Sequence, residues 1–399
     1  MEASLRKEIL ATRKLSRNWP GEPLLGGWYT EEEIEVVVRT IRQSMDPTVG
    51  FGFICPEITQ FEQAFAAYCG TADSVSINGA GTGLDMALMC LDLGPEDEVI
   101  VPSINFRAAL MAVIGQGARL VLCEVDPVTL NADPNDVERR MTPRTRAIMP
   151  VHMNGLSAPM DDYLEIAERH PHPKYGPPKV IGDAARACGG GYKGTKIGKK
   201  GWMTVFSFHT QKLFTTLGEG GAITTDDTDV AKRLRAIRQF GGVEYWGSNY
   251  KMTKVQAAVG LVQLRRLPEM LARRKQVALE RHEMLKDLEG ITLPLEPPGY
   301  EHTYYLYTCL VPKEWAGEKR DQLLTLLRQE FGVNTVVANP PAHKVFPFIA
   351  KHTQGQELPL SDELGARLFC LPIHGLMTRE DNEYLCAALS EAWERVRDA

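Results

Sequence analysis

The stretch FSFHTQK at residues 206–212, followed by GEGG at residues 218–221, decides the fold of this chain. The apolar runs around these motifs, MTVFSF and GGAITT, are typical of short buried strands. Lys212 therefore lies in a loop that directly follows one strand and precedes another. A lone lysine is normally a solvated surface group, but the glycines after this one allow the backbone to approach a bound molecule closely. The pattern indicates a functional lysine at the end of a strand.

Seven short apolar segments alternate with helical stretches between residues 73 and 226. They are SVSI, VIVPS, ARLVLCEVD, RAIMPVH, KVIGD, MTVFSF and GGAITT. This alternation predicts an α/β domain around a central, mostly parallel seven-stranded sheet. In such sheets ligands bind at the carboxyl ends of the strands, which is where Gly81, Phe106, Asp183 and Ser207 fall.

Two helices are predicted before the sheet. A capping-box pattern at residues 30–33 starts the first, whose apolar residues recur at helical spacing at Ile34, Val37, Val38, Ile41 and Met45. The second starts at Pro56 and carries aromatic residues on one face, namely Phe61, Phe65 and Tyr68. We expect these residues to serve packing rather than chemistry.

A long helical region at residues 253–288, with an expected interruption at Pro268, follows the sheet. Beyond it lie the strand-like segments TYYLYTCLV and LFCLPI, a helix at 321–331 and a terminal helix from Thr378. We therefore predict three parts. They are an N-terminal segment 1–55 that joins or flanks the small domain, a large binding domain 56–270 and a small α+β domain 271–399.

Composition excludes several classes of protein. The chain has 399 residues, 44% of them hydrophobic, and a formal net charge of -6, so no overall positive field attracts nucleic acid or an anionic membrane. The eight cysteines form no C-x-x-C pair and no cluster with histidine, which favours reduced thiols and no metal site. No stretch reaches the roughly 20 apolar residues of a membrane span, and the first residues lack a signal-peptide run. We expect a cytoplasmic protein.

Lys212 and Asp183 offer the two reactive groups that pyridoxal phosphate (PLP) chemistry requires. The lysine can form an imine with the cofactor's aldehyde and later carry a proton. Asp183 ends the apolar run KVIGD, so its carboxylate can keep the cofactor's pyridine nitrogen protonated. A structural role for Asp183 as a helix cap fits the sequence equally well.

The remaining requirements are a phosphate site and an aromatic face for the ring. The turn SINGAGTG at 76–83, with Ala80, Gly81 and Thr82, follows a strand and opens a helix, so its N–H groups can hold a phosphate together with the hydroxyl of Ser207. Phe106 follows another strand and can stack on the ring, although a core phenylalanine would look the same.

The chain resembles the sugar and cyclitol aminotransferases, the DegT/DnrJ/EryC1/StrS family of fold-type I PLP enzymes. The resemblance rests on Ser-Phe-His-x-x-Lys followed by Gly-Glu-Gly-Gly, and on GDAARA at 182–187, PEDEVIVP at 95–102, TPRT at 142–145, VHMNG at 151–155 and NYKM at 249–252. It implies PLP that cycles through pyridoxamine phosphate (PMP), with glutamate or glutamine as donor and a keto sugar or cyclitol as acceptor. It also implies a homodimer in which Asn249 reaches the neighbour's cofactor phosphate.

Three positions depart from the pattern of similar enzymes. Arg186 replaces a glutamine that contacts the cofactor's phenolic oxygen, and a fixed cation would stabilise the phenolate more strongly. The phosphate loop can be aligned either on residues 79–81 or on the pair Gly81-Thr82. Lys251 replaces the usual arginine after Asn249 and Tyr250.

The acceptor site is the least defined part of the prediction. Tyr250, His343 and Lys344 are candidates for contacts with the substrate, although a structural role for the proline-rich loop around His343 is compatible with the same residues. Two other functions are compatible with the resemblance. A PLP or PMP-dependent sugar dehydratase is disfavoured because such relatives replace the lysine with histidine, and a non-catalytic regulatory protein is disfavoured because Lys212, Asp183 and Ser207 are all retained. A dinucleotide oxidoreductase is disfavoured because no G-x-G-x-x-G follows the first strand with an acidic residue at the required distance.

Overall fold

The computed structural model describes residues 2–398 and contains twelve named strands in three sheets. The strands are β1 (Asp73–Ile77), β2 (Glu98–Pro102), β3 (Arg119–Cys123), β4 (Thr145–Ile148), β5 (Lys179–Asp183), β6 (Gly191–Tyr192), β7 (Thr195–Lys196), β8 (Met203–Ser207), β9 (Gly221–Thr225), β10 (Tyr300–Glu301), β11 (Tyr307–Leu310) and β12 (Leu368–Leu371). The seven segments predicted to form the large sheet all do so.

The central sheet has the strand order β1-β9-β8-β5-β4-β2-β3. β9 runs antiparallel to both β1 and β8, and the remaining pairs are parallel, so six of the seven strands point the same way. The prediction of a mostly parallel seven-stranded sheet in an α/β fold is confirmed. Asp183 and Ser207 end the adjacent strands β5 and β8, which brings these two residues to the same edge of the sheet.

Helices cover both faces of this sheet and build the rest of the chain. They are α1 (Ala3–Thr12), α2 (Glu31–Gln43), α3 (Pro56–Cys69), α4 (Ala80–Met89), α5 (Arg107–Gly115), α6 (Pro134–Arg140), α7 (Met160–Arg169), α8 (Thr228–Arg238), α9 (Lys254–Leu285), α10 (Glu318–Phe331), α11 (Ala342–Val345), α12 (Pro347–His352), α13 (Pro359–Arg367) and α14 (Arg379–Asp398). Helices α4, α5 and α8 bury apolar side chains against one face of the sheet. On the other side Phe61 and Phe65 of α3 pack edge to face on Phe206 and Phe208, as their spacing predicts.

A second core is formed by the antiparallel pair β11–β12 with α10 and α14. The N-terminal helix α1 packs against α14, and Arg6 of α1, which is buried, donates to Glu394 at 2.7 Å. The first helix thus packs on the second core. The division at residue 270 falls inside α9, so this helix contributes to both cores.

The predicted interruption at Pro268 is wrong, because α9 is one helix of 32 residues with this proline inside it. A proline in a helix interior removes one backbone hydrogen bond at a cost of about 3 kcal/mol. Here Leu264 and Leu267 before it, and Met270 and Val277 after it, are buried in the two cores. Burial of each such side chain stabilises the folded chain by roughly 1.5–3 kcal/mol, so the four together outweigh the cost of the proline.

Helix α2 starts as predicted, with Thr30 N donating to the carboxylate of Glu33 at 2.7 Å in a capping box. Of its apolar stripe only Val37 packs inward, against the small core cluster that contains Val36. Ile34, Val38 and Ile41 are exposed, and Met45 just beyond the helix is 76% exposed, while Glu33, Val36 and Thr40 are buried. Apart from Val37, the stripe therefore does not make the expected packing within this chain.

The eight cysteines are buried free thiols, as predicted. Among residues 2–398 no helix combines the length and the apolar character that crossing a membrane requires. Within the same residues no group of three or more His, Cys, Asp or Glu side chains is placed to hold a metal ion.

Candidate active site

A cleft of about 450 Å³ lies at the carboxyl edge of the sheet, a size typical of small-molecule sites. Seven residues predicted from the sequence line it together. They are Ala80, Gly81, Phe106, Asp183, Arg186, Ser207 and Lys212. These residues end or follow four separate strands, β1, β2, β5 and β8, so the fold itself assembles them.

Lys212 is held by a loop folded back between β8 and β9. Its backbone N–H donates to His209 O at 2.8 Å, and Thr210 N donates to Gly218 O at 2.9 Å. The side-chain amine donates to the phenolic oxygen of Tyr305 at 3.0 Å. Burial, and then the nearby guanidinium of Arg186, lower the pKa of Lys212 to about 7. A large fraction of this amine is therefore neutral near neutral pH and able to act as a nucleophile or base.

Asp183 presents a buried carboxylate at the end of β5. Its Oδ1 accepts the N–H of Ala185 at 3.0 Å, and burial raises its pKa. Arg186 and Lys212 oppose that rise through their positive charges. A carboxylate in this position gains most from a cationic hydrogen-bond donor brought into the cleft, which is what a protonated pyridine nitrogen offers.

The N-terminus of α4 supplies the anion site. Gly79 precedes the helix, and a side-chain carbon added at Gly81 would meet open space, so the first turn is accessible from the cleft. Ser207, itself a buried residue, lines the same cleft. The Oγ1 of Thr82 instead lies 2.7 Å from both Asn78 Oδ1 and Gly79 O, so its one proton is used within its own turn. This geometry favours the alignment of the phosphate loop on residues 79–81.

Phe106 and Arg186 both line the cleft, one with an exposed aromatic ring and the other with a buried cation. The ring of Phe106 is 52% exposed although it lines the cleft, so it offers a free face for stacking. Arg186 is buried and donates to Asn154 Oδ1 at 2.9 Å. The guanidinium is therefore a cation held in a fixed position.

Five predicted site residues do not line this cleft. Thr82 is bonded within its own turn, as described above. Asn249 is exposed, and the backbone of Tyr250 accepts Asn78 N at 2.9 Å behind the phosphate turn. His343 and Lys344 both face Asp362, at 3.1 and 2.9 Å. Their roles in binding stay predictions.

The structure adds residues to the cleft that the sequence did not single out. Glu22, Asn105, His209 and Asn339 line it, and Tyr305 contacts the lysine. Asn105 is buried, and within residues 2–398 its Nδ2 has no acceptor. Because Asn105 follows β2 and directly precedes Phe106, the sequence could have indicated it as a site residue. Glu22 and Tyr305 carry no local signal, because only long-range packing brings them to Lys212.

The sequence model of the DegT/DnrJ/EryC1/StrS aminotransferase family matches residues 30–390, which include Lys212, Asp183 and the whole sheet. The chain belongs to this family. The resemblance that the motifs indicated is confirmed, and with it a PLP-dependent aminotransferase of amino-sugar biosynthesis.

Relatives of this aminotransferase match it over most of their length. GDP-perosamine synthase of Caulobacter vibrioides is 38% identical over 342 residues, which cover 84% of this chain and 89% of that protein. The dTDP-3-amino-3,4,6-trideoxy-alpha-D-glucose transaminase of Streptomyces venezuelae is 35% identical over 350 residues, with coverage of 86% and 89%. DesV of S. venezuelae superposes with a TM-score of 0.83 at 33% identity, covering 92% of this chain and 95% of that one. The PLP form of Spr1654 from Streptococcus pneumoniae gives a TM-score of 0.85 at 26% identity, covering 94% and 99%.

The residues of the cleft fit PLP. The open first turn of α4 and the Ser207 hydroxyl suit a phosphate, the buried carboxylate of Asp183 suits a pyridinium, and the free face of Phe106 suits the ring. Lys212 provides the amine, and Arg186 the fixed cation.

Proposed function

We propose that this enzyme transfers the amino group of glutamate or glutamine to a keto sugar carried on a nucleoside diphosphate. One observation carries the assignment of the chemistry: a buried lysine amine with a pKa of about 7 shares a cleft with a buried carboxylate and an open helix N-terminus. The acceptor class is supported by the GDP- and dTDP-linked sugars in the names of two relatives.

Each residue has a task that follows from its position. When bound, PLP supplies an aldehyde that exchanges amino groups and a ring that accepts electrons from the donor's α-carbon. Lys212 is placed to take the proton from that carbon, since its amine is largely neutral at pH 8. Asp183 keeps a proton on the pyridine nitrogen, and α4 with Ser207 anchors the phosphate. Arg186 holds the negative charge of the phenolic oxygen.

Retention of Lys212 favours transfer of the amino group over dehydration of the sugar. The resemblance implies that similar enzymes which dehydrate sugars have histidine in place of this lysine. The amine of Lys212 lies in the cleft next to the carboxylate that this chemistry requires. A regulatory protein without catalysis would have no need of an amine with so low a pKa.

Separate half-reactions test the proposal. The PLP-loaded enzyme is mixed with single amino acids, and loss of the cofactor's visible band identifies the donor. The PMP-loaded enzyme is then mixed with GDP- and dTDP-linked 4-keto or 3-keto sugars, free keto sugars and cyclitol ketones. Return of the band with the nucleotide-linked ketones is expected. A response only to a free ketosugar or a cyclitol ketone would refute the nucleotide-linked acceptor, and water loss without amino transfer would refute the reaction.

We propose further that the working form is a homodimer with shared active sites. The outward apolar stripe of α2 continues into the loop after it, where Val49, Phe51, Phe53 and Ile54 are exposed. Continuous exposed apolar surface is a mark of protein–protein contact. The buried Lys254 amine ties this loop to the start of α9, through Ser44 Oγ at 3.1 Å and Gly50 O at 3.3 Å.

A second copy of this chain is the occupant that best explains where the apolar surface lies. The amine of Lys251 lies 5.3 Å from the ring centre of Phe53 and 4.6 Å from that of Phe240, so the surface extends to the exposed Asn249. A two-fold contact on this surface would cover the stripe and present Asn249 to the neighbour. This supports the role that the resemblance implies for Asn249, which does not line the cleft of its own chain.

A further inference from the structure

Two consecutive hydrogen bonds connect Lys212 with Tyr305 and Tyr305 with Glu22. Its amine donates to the phenolic oxygen of Tyr305 at 3.0 Å, and the hydroxyl of Tyr305 donates to the carboxylate of Glu22. Tyr305 is fully buried, and Glu22 lines the cleft. The three side chains therefore form a line from the cleft wall to the lysine.

Glu22 arrives on the N-terminal segment, which is pressed against the lysine loop. Gly26 N donates to Thr210 O at 2.9 Å, and Thr210 Oγ1 donates to Leu24 O at 3.2 Å. A side-chain carbon at Gly26 would lie 2.1 Å from the carbonyl oxygen of Gln211, so only glycine permits this approach. These contacts fix the position of the segment against the lysine loop, and Glu22 thereby lies at the cleft.

Tyr305 arrives from the other side, at the entry to the small domain. It comes two residues before β11, and its carbonyl accepts the buried guanidinium of Arg274 at 3.3 Å. Arg274 also donates to Gly26 O at 2.7 Å. One buried arginine of α9 therefore ties the backbone beside Tyr305 to the segment that carries Glu22.

Four charged groups face the amine of Lys212. Arg186 lowers the pKa of the lysine, while Glu22, Asp183 and Glu219 raise it. Tyr305 is the group that receives the amine's hydrogen bond, and it stays protonated because burial raises its pKa. Its hydroxyl can therefore accept from Lys212 only while its own proton points to Glu22.

We propose that Tyr305 and Glu22 are positioning residues that orient the free amine of Lys212 toward the cleft, so that the lysine is aligned only when the N-terminal segment and the small domain are both docked on its loop. The amine needs such a hydrogen-bond partner to orient it whenever it is not covalently bound. Rotation of a long lysine side chain would otherwise be limited only by packing. The proposal deepens the function proposed above and rests on Lys212 as the reactive amine.

A matched pair on the same stretch of chain provides the control. Tyr304 is also buried and donates to a carboxylate, that of Glu296, at 3.3 Å. This pair does not line the cleft. Tyr304→Phe and Glu296→Gln therefore remove the same chemical groups as Tyr305→Phe and Glu22→Gln, without touching the line to Lys212.

The test measures the amine of Lys212 directly in apoprotein, with no turnover. Competitive labelling with acetic anhydride across pH 5 to 10, read on the Lys212 peptide by mass spectrometry, gives the midpoint of its titration. Glu22→Gln and Tyr305→Phe should each lower that midpoint by about 0.5–1 pH unit, because both remove support for the protonated amine. Glu22→Asp, which keeps the charge, should lower it less, and the control pair should leave it unchanged.

Orientation is read separately at pH 9, where the amine is neutral in every variant. Recombination of apoprotein with PLP should be slowed about 5–10-fold by Tyr305→Phe and Glu22→Gln, as expected for a misplaced nucleophile. Unchanged midpoints and rates in Glu22→Gln would overturn the proposal, as would equal changes in the control pair. Glu22 is not a core residue, so its variants test the idea even if Tyr305→Phe fails to fold. Because labelling needs no substrate, a wrong acceptor class leaves this result unaffected.

Discussion

The guanidinium of Arg186 donates to Asn154 Oδ1 over 2.9 Å, and the Nδ2 of Asn154 donates in turn to Thr308 Oγ1 over 2.7 Å. Asn154 has a left-handed backbone conformation, with φ of 51°. Arg186, which stands where similar enzymes have glutamine, is thus held in place by hydrogen bonds through the amide of Asn154 to the hydroxyl of Thr308. Its charge acts on Lys212, whose pKa it lowers.

Arg186→Gln should therefore raise the pKa of Lys212, since the nearest opposing cation is lost. The pH midpoint for recombination of apoprotein with PLP, followed by visible absorbance, should move up by about one unit. Asn154→Ala should move it the same way but less. Arg169→Gln, which removes an exposed arginine paired with Glu138, serves as control and should leave the midpoint unchanged. A midpoint that does not move in Arg186→Gln would show that its charge is screened from the lysine.

The wild-type enzyme should recombine with PLP faster as pH rises through 7. The pKa of Lys212 is lowered from 10.5 to about 7, so the protonated, unreactive amine predominates below pH 7 and the neutral amine above it. Stopped-flow absorbance from pH 5.5 to 9.5 measures the dependence. A rate that still climbs steeply above pH 9 would mean that burial does not depress the pKa of this lysine.

Lys212→Ala should abolish turnover and the reducible adduct with PLP. No other lysine lines the cleft within residues 2–398. Borohydride treatment followed by peptide mapping reads the outcome. Lys232→Ala, a surface change that removes the partner of Asp229, should trap cofactor as the wild type does. Wild-type levels of adduct in Lys212→Ala would assign the chemistry to a different lysine.

Asp183→Asn should keep the cofactor but slow the donor half-reaction by several orders of magnitude. The amide preserves the size of the side chain but cannot hold a proton on the pyridine nitrogen by its charge. Rapid mixing with the donor amino acid measures the rate, and absorbance at equilibrium measures the bound cofactor. Near-normal half-reaction rates would remove Asp183 from the site.

Mixing two inactive variants should restore activity if Asn249 serves the neighbouring site. In a heterodimer of Lys212→Ala and Asn249→Ala, one site lacks both groups and the other is intact. Equal amounts paired at random give about half mixed dimers with one working site each, so activity at limiting PLP should approach about a quarter of wild type. Two affinity tags verify the exchange of subunits. If tagged heterodimers are no more active than the average of the parents, Asn249 does not act in trans.

The residues around Lys212 were predictable because each lies at the end of a strand or in the loop that follows it. Lys212, Asp183, Ser207, Phe106 and the turn at 79–81 follow strands whose order in a parallel sheet brings their ends together. The alternation of short apolar segments predicts that sheet without reference to any relative. Local sequence therefore predicted both the fold and most of the groups that the structure gathers in the cleft.

The parts that could not be predicted depend on tertiary packing. Pro268 breaks an isolated helix, but burial on both sides of it keeps α9 continuous. The apolar residues of α2 have the spacing of a helix that faces a core. Spacing cannot show whether they pack against this chain or against a second copy of it. Glu22 reaches the lysine across 190 residues of sequence, where no periodicity or motif could indicate it. The three-part division of the chain and its cytoplasmic location stay predictions.

The close approach of Gly26 to the lysine loop sets a limit on how this enzyme can be trimmed. The region that matches the family begins at residue 30, and a chain cut there would retain the sheet, Lys212 and Asp183. It would lose Glu22, together with the carbonyl of Gly26 that a buried guanidinium uses. A fragment designed from similarity alone would therefore contain every recognised motif and still lack one wall of its own active site.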